Sequence, residues 1–267
     1  MTENNTEQAV LVSVEGNIGV ISINRADKFN CLSEAVHQGL QGALRTHENN
    51  PAVRAILLCS EGKHFCTGAD LGEVNAKIES KDEAAIKAFI ELGHQTCTNF
   101  EKSELPVVGA IQGFCLAGGL ELSLACDILF AADDAVLGDQ HANYGLIPGW
   151  GGSQRLPRIL GFRRALDLML SGRRLKAGEA LEWGMVNYLS PSAELREAAL
   201  AYCQLLASKS TTGLSMMKDL SYTGVNMPLD EALALEISEA VKGLQSDDVK
   251  EGLAAFAERR EPVFKSR

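Results

Sequence analysis

The sequence predicts an α/β fold on three observations. Apolar runs of β type at Val10 to Val14, Ile18 to Ile23, Val53 to Cys59 and Val107 to Ile111 are interleaved with segments whose apolar residues recur at helical spacing. The run VRAILLC is nearly continuous in apolar character, the pattern of a strand covered on both faces of a parallel sheet. Beyond Pro191 strand signals vanish and amphipathic helical patterns take over, which divides the chain into a core, 1–190, and a helical region, 191–267.

Each element has a local reason. Gly16-Asn17 between the first two runs is a hairpin signal, because a two-residue loop needs a backbone that glycine and asparagine tolerate. Ser33 is a plausible N-cap with Glu34 in the first turn, and Val36, Leu40 and Leu44 follow at helical spacing. After the second apolar strand come a loop and short helix, Glu61 to Lys77, a longer helix, Asp82 to Lys102, and the strand at Val107. Strand, strand, helix, strand, helix, helix, strand is an α/β order. In the last third, Leu229, Leu233, Ile237, Ala240, Val241 and Leu244 share one helical face, and Val249, Leu253 and Phe256 continue the pattern after Asp247-Asp248, a good helix start. An extension that cannot bury both faces internally suits packing on a neighbouring subunit. His37, His47 and His94 fall in helical patterns without evident partners and are expected at the surface.

Composition excludes several classes. A hydrophobic fraction of 46% is that of a globular chain, and no run reaches the roughly 18 apolar residues that span a bilayer. The start, MTENNTEQ, lacks the basic-then-apolar pattern of a secretory signal, so a cytoplasmic protein without a membrane partner is expected. The seven cysteines are scattered with no CxxC pair, which suits reduced core residues and indicates neither a disulfide framework nor a zinc ribbon. A net charge of −10 argues against a broad nucleic-acid surface. One basic stretch stands out: Arg155, Arg158, Arg163, Arg164, Arg173, Arg174 and Lys176, against Asp167 alone between Gly151 and Lys176. It is either a solvated face with charges near helix ends or a contact that handles phosphate.

The chemistry concentrates between Pro106 and Gly152, PVVGAIQGFCLAGGLELSLACDILFAADDAVLGDQHANYGLIPGWGG. A strand runs into Gly118-Gly119 and then into a helix with Glu121 in its first turn, an arrangement that presents free N–H groups and a carboxylate to one ligand. An earlier loop, HFCTGADL, again leads from a strand to a helix, and Gly68 allows the next N–H, on Ala69, to face a cavity. Two N–H groups aimed at one point, Ala69 and Gly118, make an oxyanion hole able to stabilise an enolate or a tetrahedral oxyanion. Taken singly, each loop also reads as a tight strand-to-helix turn, and Glu121 as a carboxylate favoured by a helix start. No HExxH motif or carboxylate cluster suggests a metal, and no GxSxG suggests a hydrolase serine.

Seven segments, in order, resemble the crotonase, or enoyl-CoA hydratase/isomerase, superfamily: INRADKFNCLS, FCTGADL, PVVGAIQG, AGGLELSLACDI, GLIPGWGGSQRLPR, SGRRLKAGEALEWGMV and FAERREPVFK. The resemblance implies a crotonase-like spiral of ββα turns over the first 190 residues and a C-terminal helical trimerisation region, hence a homotrimer or homohexamer. It implies an acyl-CoA thioester as substrate, with no cofactor besides the CoA that the substrate carries, and a carbonyl held by Ala69 and Gly118. Lys28 and Phe29, with Cys66, Gly68, Asp70 and Leu71, are then expected along the pantetheine and adenine path, and Lys265 near a CoA phosphate of another subunit. Glu121 matches the glutamate that activates water in the family's hydratases. Where two-glutamate hydratases carry their second acid, this chain has His141, competent to move protons near neutral pH or else to line the pocket wall. Asp139 is expected close but out of register, and Trp150, among turn glycines, as an acyl-pocket wall or a packed residue. Water addition to a 2-enoyl-CoA is the expected reaction. Isomerisation, thioester hydrolysis, decarboxylation, carbon–carbon cleavage and CoA binding without turnover are the alternatives.

Overall fold

The computed structural model describes residues 8–265; the residues before Gln8, on which the expectation of a cytoplasmic protein rests, lie outside the described residues. The chain opens with the predicted hairpin, β1 (Val10–Glu15) and β2 (Ile18–Ile23), paired antiparallel with Glu15 opposite Ile18 and Gly16 at φ +62°. Next come α1 (Glu34–Glu48), β3 (Ala55–Ser60), α2 (Leu71–Ser80), α3 (Glu83–Glu101), β4 (Val107–Ile111), β5 (Phe114–Leu116) and the short α4 (Gly118–Ser123). The core is completed by β6 (Ile128–Ala132), β7 (Val136–Gly138), a 3-10 turn (His141–Tyr144), α5 (Gly152–Leu160), α6 (Phe162–Ser171), β8 (Leu175–Lys176), α7 (Ala177–Glu182) and β9 (Tyr188–Ser190). The helices α8 (Leu195–Ala207), α9 (Thr211–Gly224), α10 (Leu229–Gly243) and α11 (Asp247–Glu258) follow, with β9 the last strand among the described residues.

The strands form two sheets, in the orders β1-β2-β3-β4-β6-β9 and β5-β7-β8. In the large sheet every pair after the hairpin is parallel, and β2, β3 and β4 are buried along their whole length, which accounts for their nearly unbroken apolar character. Two isolated bridges, Leu32 with Ala69 and Cys66 with Cys115, carry the loops after β2 and β3 alongside β5. Each turn of the chain therefore gives one strand to the large sheet and a shorter stretch to the second layer, and the site is built in that second layer. Ser33 caps α1 as the sequence implies, accepting from Val36 N at 3.3 Å, and Asp82, expected as the first residue of the longer helix, is instead the cap of α3, accepting from Ala85 N at 3.0 Å.

The helical region engages the core unevenly. α8 lies across β2, β3, β4 and β6. α9 is tied down by Lys218, whose Nζ meets Asp127 Oδ2 at 2.9 Å, and by Tyr222, whose hydroxyl donates to Asp127 Oδ1 at 3.2 Å. α10 buries no residue, and its face of Leu229, Ile237 and Leu244 stays exposed. The expectation of surface histidines holds for His94 and fails for two others. His37 and His47 are buried, because α1 turns its inner face toward α3 and the sheet, where His37 Nδ1 lies 3.1 Å from Thr96 Oγ1 and His47 Nε2 3.3 Å from the Val20 carbonyl. Helical periodicity alone did not separate these two from the apolar residues that share their face.

Candidate active site

A cavity of about 530 Å³ lies where the second-layer loops meet α2, α3 and the 3-10 turn. Two strand-to-helix loops shape its floor. In the first, Leu32 N donates to Gly68 O at 2.8 Å and Asp70 N donates to Leu32 O at 2.9 Å. Parallel bridging of this kind uses the groups flanking Ala69 and turns Ala69's own N–H away, so Gly68 takes φ +108° and the Ala69 N–H is left without an acceptor among the described residues.

The second loop ends on Ala117, held at φ 48°, ψ −120°, with its N–H given to Gly138 O at 2.8 Å. Gly118 is the first residue of α4, where an N–H has no partner within the helix, and none is found among the described residues. Close approach dictates both glycines: a Cβ on Gly118 would overlap the Trp150 ring, and one on Gly119 the Cys66 carbonyl. A Cβ on Gly68 would lie 3.1 Å from Gly118 N, so the two loops abut. Two free donors that converged on one oxygen from such loops would form an oxyanion hole.

Glu121 sits one turn into α4 and is 1% exposed. Its Oε1 accepts from Trp150 N and from Gly152 N, each at 2.8 Å, a convergence made possible by Gly151 between them at φ +113°. Burial pushes the Glu121 carboxyl above its ordinary range; the hydrogen bond from Gly152, the charge of His141 and the hydrogen bond from Trp150 pull it back only in part. Its second oxygen, Oε2, faces His141 Nε2 at 3.7 Å. Asp139, expected close to this point, is indeed beside the imidazole. It lies two residues before His141 and still meets it, with Asp139 Oδ1 accepting from His141 Nδ1 at 3.0 Å, because Gln140 between them is left-handed at φ +63° and folds the two side chains together. Burial opposes the charged imidazole, but the hydrogen bond and charge of Asp139, with Glu121's charge, outweigh it and raise the His141 pKa above 6.5. The Gln140 side chain locks the turn by donating to Gly172 O at 2.7 Å and accepting from Arg174 Nε at 3.1 Å.

Of the residues singled out from sequence, Glu121, His141, Ala69, Gly118, Lys28, Phe29 and Leu71 line this cavity. Cys66, Gly68 and Asp70 do not: the Cys66 side chain is fully buried, Gly68 supplies the loop's backbone turn, and Asp70 caps α2 through Gly72 N and pairs with Arg25 at 3.0 Å. Lys265 is exposed and contributes nothing to the cavity within one chain. The basic stretch divides as well. Arg155 pairs with Glu101 and donates to the Trp150 carbonyl, steadying the loop that holds Glu121, while Arg173 bonds Asp167 and Glu179 at the surface. The support given by Gln140 and Arg174 escaped the sequence reading; a polar residue wedged between an acid and a histidine was the available signal. Among the described residues, no group of three or more metal-ligating side chains occurs and no helix is long and apolar enough to cross a membrane.

The family profile described as "Enoyl-CoA hydratase/isomerase" matches residues 13–267. A probable enoyl-CoA hydratase of Bacillus subtilis is 36% identical over 258 residues, 96% of this chain and 98% of that protein. The short-chain-enoyl-CoA hydratase of Clostridium acetobutylicum is 31% identical over 260 residues, 97% of this chain and 98% of that protein. The crystal structure of an enoyl-CoA hydratase from Bacillus anthracis superposes with a TM-score of 0.92 at 35% identity, covering 97% of this chain and 100% of that one.

Proposed function

We infer, from the premise that this chain belongs to the enoyl-CoA hydratase/isomerase family, that it catalyses the reversible addition of water to a 2-enoyl-CoA. The observation that carries the reading is the placement of Glu121 Oε2 and His141 Nε2 3.7 Å apart in the cavity that Ala69 and Gly118 also line. A thioester carbonyl received by those two donors is polarised without a metal, which makes C3 electrophilic and lets negative charge collect on the oxygen as water adds. Glu121 takes the proton from the attacking water. The protonated His141 gives one to Cα as the enolate collapses, and Asp139 keeps the imidazole in the tautomer and orientation this needs.

Lys28, Phe29 and Leu71 would border the CoA arm, with Cys66, Gly68 and Asp70 shaping the loop behind them. The exposed face of α10 supports assembly into a homotrimer or homohexamer, in which Lys265 of one subunit would reach a CoA phosphate at another; light scattering in solution checks the mass. A cytoplasmic enzyme with no cofactor beyond the CoA of its substrate belongs to the same proposal, and activity should survive chelators and dialysis. The central test incubates the protein with a panel of 2-enoyl-CoAs in heavy-oxygen water. Label at C3 is the expected result, and consumption of substrate without label there would point to another reaction.

A further inference from the structure

Trp150 occupies a built seat beside the reacting groups. Its indole is 4% exposed and lies between two helices that each present a glycine to it: a Cβ on Gly93 of α3 would overlap the Nε1 edge, and a Cβ on Gly118 of α4 would overlap the benzo edge. His37 closes one side, 4.6 Å away with the rings at 80°, and Phe89 another, 5.7 Å away at 67°. The indole Nε1 finds no hydrogen-bond acceptor among the described residues, so fit and not a polar anchor fixes the ring. Burial lowers the His37 pKa to about 4, which keeps this backing uncharged at neutral pH.

The seat adjoins the groups that would receive the thioester in the reading above. The backbone of Trp150 donates to Glu121 Oε1, and its ring rests on Gly118, whose N–H faces the thioester oxygen in the reading above. The same residue is thus fixed to the groups that define the carbonyl and the double bond. Beside that point the cavity has an apolar side that includes Val74, Phe89, Ile90 and Trp150, a surface suited to the carbons beyond C3, and His37 packs against the indole. We propose that the Trp150 side chain is a specificity-determining wall that ends the acyl pocket and restricts the enzyme to short 2-enoyl groups of about butenoyl size. The inference rests on the acyl-CoA reading of the site and extends it to the class of acyl group.

The test compares wild type, Trp150→Ala and Trp150→Leu, the second serving if the first does not fold. For each, kcat/KM is measured on 2-butenoyl-CoA and 2-decenoyl-CoA, and dissociation constants on butyryl-CoA and decanoyl-CoA by calorimetry. Wild type is expected to favour the short substrate. Removing the wall should raise the long-to-short ratio about tenfold or more, the scale on which an apolar pocket discriminates by methylene count. A wild type that handles both lengths alike overturns the proposal, as does a ratio that stays within about twofold in both variants. An equal loss on both substrates means that the indole only supports the fold, and also overturns it. If no enoyl-CoA is hydrated, the reaction assigned above fails, and the binding ratios still decide whether the wall exists.

Discussion

Replacing Glu121 with glutamine separates the chemistry of the site from its architecture. The glutamine oxygen can accept the two N–H bonds that Oε1 now receives from Trp150 and Gly152, each at 2.8 Å, and its amide nitrogen then stands where Oε2 faces His141. What is lost is the group proposed to remove a proton from water. General base catalysis of this kind is worth about 10²- to 10⁴-fold, or about 3 to 5 kcal/mol of barrier. Stability should move the other way. Because burial raises the Glu121 pKa, the charged form is disfavoured by the fold, and the penalty grows as pH rises from the unfolded-state value through the folded one. Near neutral pH the neutral amide should therefore hold the melting temperature or raise it. The assay follows loss of the conjugated enoyl thioester absorbance, with incorporation of heavy oxygen at C3, beside a melting curve and acyl-CoA binding. Turnover within tenfold of wild type, or label at C3 at the wild-type rate, refutes the role given to Glu121; a collapse of melting temperature together with binding refutes the claim that the bonding pattern survives.

The other predictions concern charge and space. With Glu121 required ionised and His141 protonated, the pH profile of kcat/KM should be bell-shaped, with limbs that belong to the coupled pair. The His141 pKa is raised in the fold, so its charged form contributes stability below the unfolded value near 6.5, and that contribution is lost as pH rises through the folded value. Asp139→Asn removes the main support of that raised pKa and should move the alkaline limb to lower pH, whereas an unmoved limb in steady-state kinetics would show that His141 does not set it. Gly118→Ala forces a methyl group against the Trp150 ring and should lower kcat/KM at least tenfold through the displaced N–H; wild-type kinetics would deny that this loop binds the reacting carbonyl. Lys218→Met leaves the half-buried Asp127 without its cation and should destabilise by about 3 kcal/mol, read as a melting temperature lower by about 6 to 12 °C with little change in kcat on enzyme that remains folded.

The sequence exposed the strands because burial on both faces leaves an apolar run that composition alone displays, as in β3, and it exposed the glycine loops because only glycine fits beside Trp150 and the Cys66 carbonyl. Pairing across the molecule was harder to read. Asp139 is expected close but out of register with the family's second acid, and its bond to His141 depends on Gln140 at φ +63°, a conformation that no local pattern displays. Asp70 looked like part of a ligand path and is instead spent on capping α2 and on Arg25, a partner 45 residues away that no local pattern announces. His37 and His47 share a helical face with Val36, Leu40 and Leu44, and only the tertiary contact with Thr96 and Val20 shows why imidazoles are accepted there.

The unusual backbone of the molecule gathers at the same place as its chemistry. Six described residues other than glycine have positive φ, and three of them, Phe29, Ala117 and Gln140, line the cavity. Such conformations cost about 1 kcal/mol or more each and persist only where surrounding bonds enforce them. Around Phe29 the enforcement comes from Asn30, whose amide donates to Glu61 O at 2.8 Å and His64 O at 2.7 Å; around Gln140 it comes from Gly172 and Arg174. Ala117 is held by its N–H bond to Gly138 O, and its ψ of −120° sets the plane of the peptide that carries the Gly118 N–H. Relaxation of that one torsion would reorient that N–H while leaving α4 intact, and relaxation at Gln140 would part His141 from Asp139. Strain in this fold is therefore tied to orientation: it sets the peptide that carries the Gly118 N–H and the contact of His141 with Asp139, and if these groups act as proposed, the hydrogen bonds that hold the strained residues are as necessary as the groups that would touch the substrate.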